Sequence, residues 1–365
     1  MTTTSDLTFM RRALRLAERG RGRTAPNPPV GAVVVRDGRI VGEGFHAAAG
    51  GDHAEVVALA AAGHEARSAT LYVTLEPCTH HGRTPPCAPA VIEAGIARVV
   101  VAARDPNPLE RGAGVRALGE VGLEVLEGVL DEESRALIGG FAMLVATGRP
   151  MVTVKIASTL DGKVAAADGT SQWITGKTAR RDGHRLRGWS GAVLVGVGTV
   201  LADDPALTCR LRRFSGPQPI RVVLDSSGRT PPDATVLDGS APTLIATTPK
   251  APEEFIAAVR ARGAEAIAFP SREGRVDVAS VLAQLGERGI TDVLVEGGPS
   301  MVADLVERAL ADRFVFYLAP KLLGGLGLSG VGGLLATTVT DAPELTITSV
   351  RRVGADIKVE ARPRV

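Results

Sequence analysis

His53-Ala54-Glu55, followed by Glu76-Pro77-Cys78-Thr79-His80-His81-Gly82-Arg83-Thr84-Pro85-Pro86-Cys87, decides the reading of this chain. It offers one imidazole and two thiols, a donor set suited to Zn²⁺. Three protein ligands leave one tetrahedral position open for water, the mark of a catalytic rather than a structural zinc. Glu55 is not needed as a ligand and stands two residues after His53, placed to move protons to and from that water. Taken alone, His53 reads as a polar core or surface histidine and Glu55 as a solvated helix residue. Their coincidence with two cysteines around a strand-to-helix turn reverses both readings.

The pattern H-x-E followed by P-C-x-x-C belongs to zinc nucleobase deaminases. Here the first part matches, but the cysteines enclose eight residues instead of two. The expected chemistry is hydrolytic. Zinc lowers the pKa of bound water, and Glu55 passes the water proton to a ring nitrogen and then to the leaving amine.

Around this motif the first half alternates helices and strands. Phe9, Ala13, Leu16 and Ala17 stand at helical spacing, which predicts a helix over Asp6 to Arg19 with Ser5 as N-cap. Gly31–Val35 and Ile40–Gly44 read as strands joined by an Asp37-Gly38 hairpin turn. Helices follow at Ala54–Ala62, Pro86–Ala94, Val115–Glu120 and Glu132–Ala146, with strands at Thr70–Leu75, Ala97–Ala103 and Glu124–Leu126. This order predicts helices packed on a mostly parallel sheet. A break at Thr147-Gly148-Arg149-Pro150 divides the chain into domains 1–147 and 148–365, and α/β alternation resumes without repeating the first half's sequence.

Length agrees, since 365 residues exceed one domain's usual span of about 150. At 45% hydrophobic the chain can bury sizeable cores, and with only 3% aromatics it does so with aliphatic residues. A formal net charge of +2 gives no case for nucleic acid or an anionic membrane as partner. No charged-then-apolar leader begins at Met1 and no apolar run could span a bilayer, so a cytoplasmic chain is expected. Three cysteines, Cys78, Cys87 and Cys209, are too few and odd for a disulfide framework. Cys209 reads as an incidental thiol.

In the second half the local clue is Asp292-Val-Leu-Val-Glu296-Gly297-Gly298-Pro299-Ser300, a strand running through two glycines into a helix. Such a helix start accepts anions, and the glycines let backbone approach a phosphate. Gly325-Leu-Gly-Leu-Ser-Gly330 matches G-x-G-x-x-G but lacks the βαβ context of a dinucleotide fingerprint. Gly324 to Gly333 is expected to be a mobile loop.

Thr24-Ala-Pro-Asn-Pro-Pro-Val-Gly31, His53-Ala-Glu55 and the long Glu76–Cys87 segment resemble the deaminase half of the bifunctional riboflavin-biosynthesis deaminase–reductases. The insert between the cysteines is that family's form of the motif. Lys155–Lys163, Ser171-Gln-Trp-Ile-Thr175, Ala179–Asp182, Gly198–Thr208 and Glu296–Ser300 are similar to the family's reductase half. The resemblance implies a cytidine-deaminase-like three-layer α/β domain, then a dihydrofolate-reductase-like α/β domain using NADPH. It places Asn27, His46, His80 and Arg83 around a phosphorylated pyrimidine, with Zn²⁺ on His53, Cys78 and Cys87. It implies cofactor contacts at Ser158, Trp173, Thr199, Asp203, Ser226, Gly298, Pro299, Ser300, Met301, Val302, Ala303 and Asp304. Substrate contacts fall on Ser171, Arg187, Leu207, Arg210 and Glu296. Arg187 and Arg210 could clamp a sugar phosphate. Lys155, Asp203 and Glu296 would converge to handle protons during reduction. A small-molecule substrate and a homo-oligomer are expected. Two other readings stay open at this point: a tRNA adenosine or cytidine deaminase, and a structural zinc module, its fourth ligand His80 or His81, fused to a nucleotide-sensing domain. Residues alone do not separate NADPH from NADH.

Overall fold

The computed structural model describes residues 2–82, 84–333 and 336–364. Two compact units divide at Gly148/Arg149.

In the first unit, α1 (Thr4–Ala17) precedes β1 (Gly31–Arg36), β2 (Arg39–Phe45), α2 (Ala54–Ala62) and β3 (Thr70–Leu75). Then come α3 (Cys87–Glu93), β4 (Arg98–Ala103), α4 (Ala113–Glu120), β5 (Glu124–Glu127), α5 (Asp131–Leu137) and α6 (Gly139–Thr147). The sheet order is β2-β1-β3-β4-β5, with β1 antiparallel to both neighbours and β3, β4 and β5 parallel. Asp37 and Gly38 take φ of 49° and 72°, the left-handed pair that a two-residue hairpin requires.

Strand alternation makes three layers. Val33 and Val35 pack with Met10, Ala13 and Leu16 of α1, while Ala32 and Val34 pack with Ala54, Ala58, Leu59 and Ala62 of α2. A Cβ on Gly42 would lie 2.2 Å from the Ala58 carbonyl oxygen, and one on Gly44 would lie 2.4 Å from that of Ala54. Glycine at these two positions therefore seats α2 directly on β2 and sets where its first turn falls.

Two boundaries depart from the sequence expectation. The first helix starts earlier because Thr3, not Ser5, caps it, in a reciprocal box with Asp6. Asp6 also accepts hydrogen bonds from Tyr72 Oη and Arg98, which ties the helix to the sheet. The helix expected over Glu132–Ala146 is two, α5 and α6. Ile138 leaves helical geometry between them and is buried against Leu75 and Ala103.

The second unit carries β6 (Met151–Thr159), β7 (Lys163–Ala165), α7 (Lys177–Trp189), β8 (Ala192–Gly196), α8 (Val197–Asp203), β9 (Ile220–Leu224), β10 (Thr243–Thr247), α9 (Glu253–Ala261) and β11 (Glu265–Ala268). It continues with β12 (Ser271–Arg272), β13 (Arg275–Val276), α10 (Val278–Glu287), β14 (Asp292–Val295), α11 (Pro299–Glu307), β15 (Arg313–Ala319), β16 (Leu328–Ser329), β17 (Leu345–Val353) and β18 (Asp356–Pro363). The large sheet runs β11-β10-β9-β8-β14-β6-β15-β18-β17. It is parallel from β11 through β15, and β18 and β17 add as an antiparallel pair. Val293 and Val295 face one core with α10 and α11; Leu294 faces the other with α7 and α9. The Gly324–Gly333 stretch is not a free loop along its whole length, since β16 pairs with β7.

Two candidate active sites

In the first unit the ligands sit at element ends. His53 is the N-cap of α2, Glu55 lies in its first turn, and Cys87 opens α3. Cys78 follows β3 in a turn locked by Glu76. The Glu76 carboxylate accepts backbone N–H bonds from Asp105 at 3.2 Å, Gly112 at 2.9 Å and Val115 at 3.0 Å. A Cβ on Gly114 would fall 1.9 Å from the Pro77 carbonyl oxygen, so glycine there lets α4 close on the same turn.

The donor atoms of His53, Cys78 and Cys87 all lie within 4.8 Å of one another. His53 Nδ1 stands 3.0 Å from Cys87 Sγ and 3.5 Å from Cys78 Sγ. About 3.5 Å is the N-to-S edge of a tetrahedron with ordinary Zn–N and Zn–S bonds, so the set fits zinc. His53 Nε2 meets Thr84 Oγ1 at 3.1 Å, which fixes the ring plane. Cys87 lowers the Cys78 thiol to about 4 against burial, with His53 assisting, while the Cys87 thiol is pushed up by sharing with Cys78. Zinc would take both as thiolates. Glu55 is 3% exposed, and burial raises its carboxyl to about 7.

His46 is buried edge-on to His53, with ring centroids 5.3 Å apart. Its Nδ1 donates to the Asp52 carbonyl at 3.0 Å, which leaves Nε2 to accept from Asn27 Nδ2 at 3.1 Å. Burial lowers the pKa of this imidazole. Asn27 and His46 thus form one polar wall beside the metal ligands. His80 instead pairs through Nδ1 with Glu110 at 2.9 Å, and Glu110 also accepts from the Thr79 N–H and hydroxyl. Sequence reasoning missed Glu110, the anchor of the insert. Among the described residues no fourth protein ligand joins the three, and Arg83 lies outside the described residues.

In the second unit a cavity of about 1650 Å³ opens at the carboxyl ends of β6, β14, β8 and β9. That is where an open parallel sheet binds ligands. Lys155, Glu296 and Arg187 meet there: Lys155 Nζ lies 3.3 Å from Glu296 Oε2, and Arg187 Nε lies 2.6 Å from Oε1. Arg187 also donates to the Thr208 carbonyl. Its fork is engaged by Glu296, and both Arg187 and Arg210 line the cavity. Asp203 does not join Lys155 and Glu296; it accepts from Ser171 Oγ at 2.9 Å at the end of α8.

Ser171, Trp173, Thr199, Asp203, Leu207, Arg210 and Ser226 all line this cavity, as do Gly298, Pro299, Ser300, Met301 and Asp304. Ser158, Val302 and Ala303 do not, because the pleat of β6 and the inner face of α11 bury their side chains. One face of Trp173 is covered by the Arg180 guanidinium, 4.4 Å from the ring centroid. Gly297 and Gly298 lead into α11 with Pro299 in its first turn, and a Cβ on Gly297 would meet Met301 Sδ at 2.6 Å. A long polar-edged cleft beside an open helix start fits a dinucleotide.

A three-layer unit with a His-Cys-Cys centre and a buried carboxylate, followed by a parallel-sheet unit with a dinucleotide-sized cleft, defines a zinc-dependent deaminase fused to a nicotinamide-dependent reductase. The comparisons with known proteins agree. Residues 3–103 match the cytidine and deoxycytidylate deaminase zinc-binding region, and residues 150–359 match the RibD C-terminal domain. The riboflavin biosynthesis protein RibD of Escherichia coli is 43% identical over 365 residues, spanning 96% of this chain and 98% of its own. RibD of Mycobacterium tuberculosis is 43% identical over 92% of this chain and 91% of its own. The solved structure of Acinetobacter baumannii RibD superposes with a TM-score of 0.88 at 38% identity, covering 99% of both chains. A Thermotoga maritima diaminohydroxyphosphoribosylaminopyrimidine deaminase/5-amino-6-(5-phosphoribosylamino)uracil reductase gives 0.87 at 43%, again over 99% of both. The chain belongs to the RibD family of bifunctional riboflavin-biosynthesis enzymes.

Proposed function

We propose that the first unit hydrolyses the amine from 2,5-diamino-6-hydroxy-4-(5-phosphoribosylamino)pyrimidine, and that the second reduces the resulting 5-amino-6-(5-phosphoribosylamino)uracil to its ribitylamino form. The observation that carries this reading is Glu55, buried beside a three-ligand His-Cys-Cys set, on a chain whose full-length relatives share both halves.

His53, Cys78 and Cys87 would hold zinc, which when bound would acidify a water toward neutral pH. Glu55 is placed to take one proton from water as the oxygen bonds to the amine-bearing carbon and to give it to the ring nitrogen, then to carry the second proton from that oxygen to the departing amine. The carbon–nitrogen bond breaks, a carbonyl forms and ammonia leaves. Asn27 and His46 orient the ring by hydrogen bonds, and the insert carrying His80 faces the phosphate. In the second unit the cleft would hold NADPH, which when bound would supply the hydride. Lys155, positioned by the Glu296 carboxylate, holds and moves the proton that must reach the opened ribose. Arg187 keeps Glu296 charged and in place, Arg210 and Ser171 hold the substrate, and Thr199, Ser226 and the Gly298–Asp304 turn hold the cofactor.

The chain works on small molecules, as a homo-oligomer in the cytoplasm, without nucleic acid or membrane. Its near-neutral charge supports this. Exposed Ile347 and Val350 on the edge strand β17 offer an apolar face to another copy. Among the described residues no helix is long and apolar enough to cross a membrane. The test is an assay with the diaminopyrimidine phosphate, zinc and NADPH that scores ammonia and NADPH separately. Both should change in sequence, ammonia first. Ammonia without NADPH loss would sink the second half of the reading, and neither would sink both.

A further inference from the structure

The cleft of the second unit holds a group of arginines that the proposed chemistry does not use. β12 and β13 form a small hairpin, with Glu273 and Gly274 at φ of 50° and 76° as its two-residue turn. Arg272 and Arg275 are direct cross-strand partners. Their Cβ atoms therefore lie about 4.5–5.5 Å apart on one face, where like charges repel. Among the described residues neither makes an ion pair, and Glu273 at the tip neutralises neither. Both line the cavity, as does Arg229, which also lacks an ion pair.

The hairpin has a fixed place. The Val276 N–H donates to Ser226 Oγ at 3.0 Å, and Asp277 N–H donates to the Pro270 carbonyl at 2.9 Å. Ser226 follows β9, which lies two strands from β14 and Glu296 in the sheet order. At ordinary strand spacing that is about 10 Å from the proton-handling pair. The cleft thus carries the start of α11 near Glu296 and a second, strongly cationic patch further along the sheet. The two facing arginines are exposed to the cleft with no ion-pair partner of their own among the described residues, and a phosphate monoester accepts their forked donors well.

We propose that Arg272 and Arg275, with Arg229, receive the 2′-phosphate of NADPH and so select it over NADH. This rests on the reading of the second unit as a nicotinamide-dependent reductase. The hairpin is a specificity element, remote from hydride transfer.

The test uses the full chain and adenosine 2′,5′-bisphosphate against 5′-AMP, measured by calorimetry. The wild type should bind the bisphosphate more tightly. Arg272→Ala/Arg275→Ala should lose about 10–100-fold for the bisphosphate, the worth of one or two charge-assisted hydrogen bonds, and keep its affinity for 5′-AMP. Arg229→Ala should lose less. In kinetics, kcat/KM should fall for NADPH and hold for NADH. Thermal stability of the ligand-free double variant should not fall, because a repulsion has been removed. A variant that keeps its preference for the 2′-phosphate, or loses both ligands equally, overturns the proposal. Wild type that reduces the ribosyl substrate with neither nicotinamide overturns the reductase reading itself, a distinct result.

Discussion

Arg187 and Glu296 meet through two hydrogen bonds, Nε to Oε1 at 2.6 Å and Nη2 to Oε2 at 3.1 Å, while Lys155 holds the same carboxylate from β6. The two cations share one buried anion. Glu296 thereby fixes the amine of Lys155 at the cleft, and its loss would leave two positive charges with no partner.

Glu296→Gln should therefore abolish reduction, leave ammonia release intact, and destabilise the second unit by on the order of 3 kcal/mol. The pH dependence has a definite sign. Burial pushes the Glu296 carboxyl up, but Arg187 and Lys155 outweigh it and hold it well below the usual carboxylate range. Such a group adds stability above its unfolded pKa of about 4.3 and loses it as pH falls toward the folded value. Thermal melts should show wild type losing its advantage over the variant below about pH 4; a constant gap across that range would contradict the pairing.

Glu55→Gln should keep one zinc per chain by metal analysis and lose deamination by about 10²–10⁴-fold. Supplied with already deaminated substrate, this variant should oxidise NADPH at the wild-type rate. Cys87→Ser should instead lose zinc and deamination together. Equal zinc loss in both variants would make Glu55 a structural residue.

Gly44→Ala should push α2 off β2, since the added carbon would stand 2.4 Å from the Ala54 carbonyl oxygen. The cost expected of such overpacking is about 1–3 kcal/mol. Because His53 and Glu55 ride on that helix, zinc affinity should fall even where the variant stays folded. A variant with unchanged zinc affinity would show that the close contact does not position the ligands.

Asp105 offers a second pH test with the opposite sign. Burial raises its carboxyl to about 6, with Glu76 and Glu110 adding to this against the Asn107 N–H bond. The folded state prefers the neutral acid, so stability falls as pH rises from about 4 through 6 and the full penalty applies above that. Asp105→Asn should gain on the order of 1–3 kcal/mol at pH 8 and nothing at pH 4. Denaturant melts at the two pH values decide it.

The zinc centre was legible in the sequence because its chemistry is local: His53 and Glu55 share one turn, and the cysteines bracket one loop. Strand periodicity and the Asp37-Gly38 turn likewise carried most of the first unit. Long-range pairings had no such signal. Glu110 reads as a loop acid, and only folding shows it holding Thr79 and His80. Arg187 reads as a surface arginine until Glu296, 109 positions away, is seen in its fork. The α8 helix hides because the glycine and aspartates of Gly198–Asp204 read as loop chemistry. Ser271–Val276 is too short and too charged for any strand pattern, so the arginine pair became visible only through its register.

Thr84 lies inside the eight-residue insert, yet its hydroxyl meets the far nitrogen of His53 at 3.1 Å. The segment proposed to face the substrate is therefore also the segment that aims a metal ligand. A descendant that trimmed this loop to admit another base would loosen its grip on zinc in the same step. On the proposed function, substrate choice and metal retention are inherited as one trait, which narrows the routes by which this deaminase could drift to new substrates.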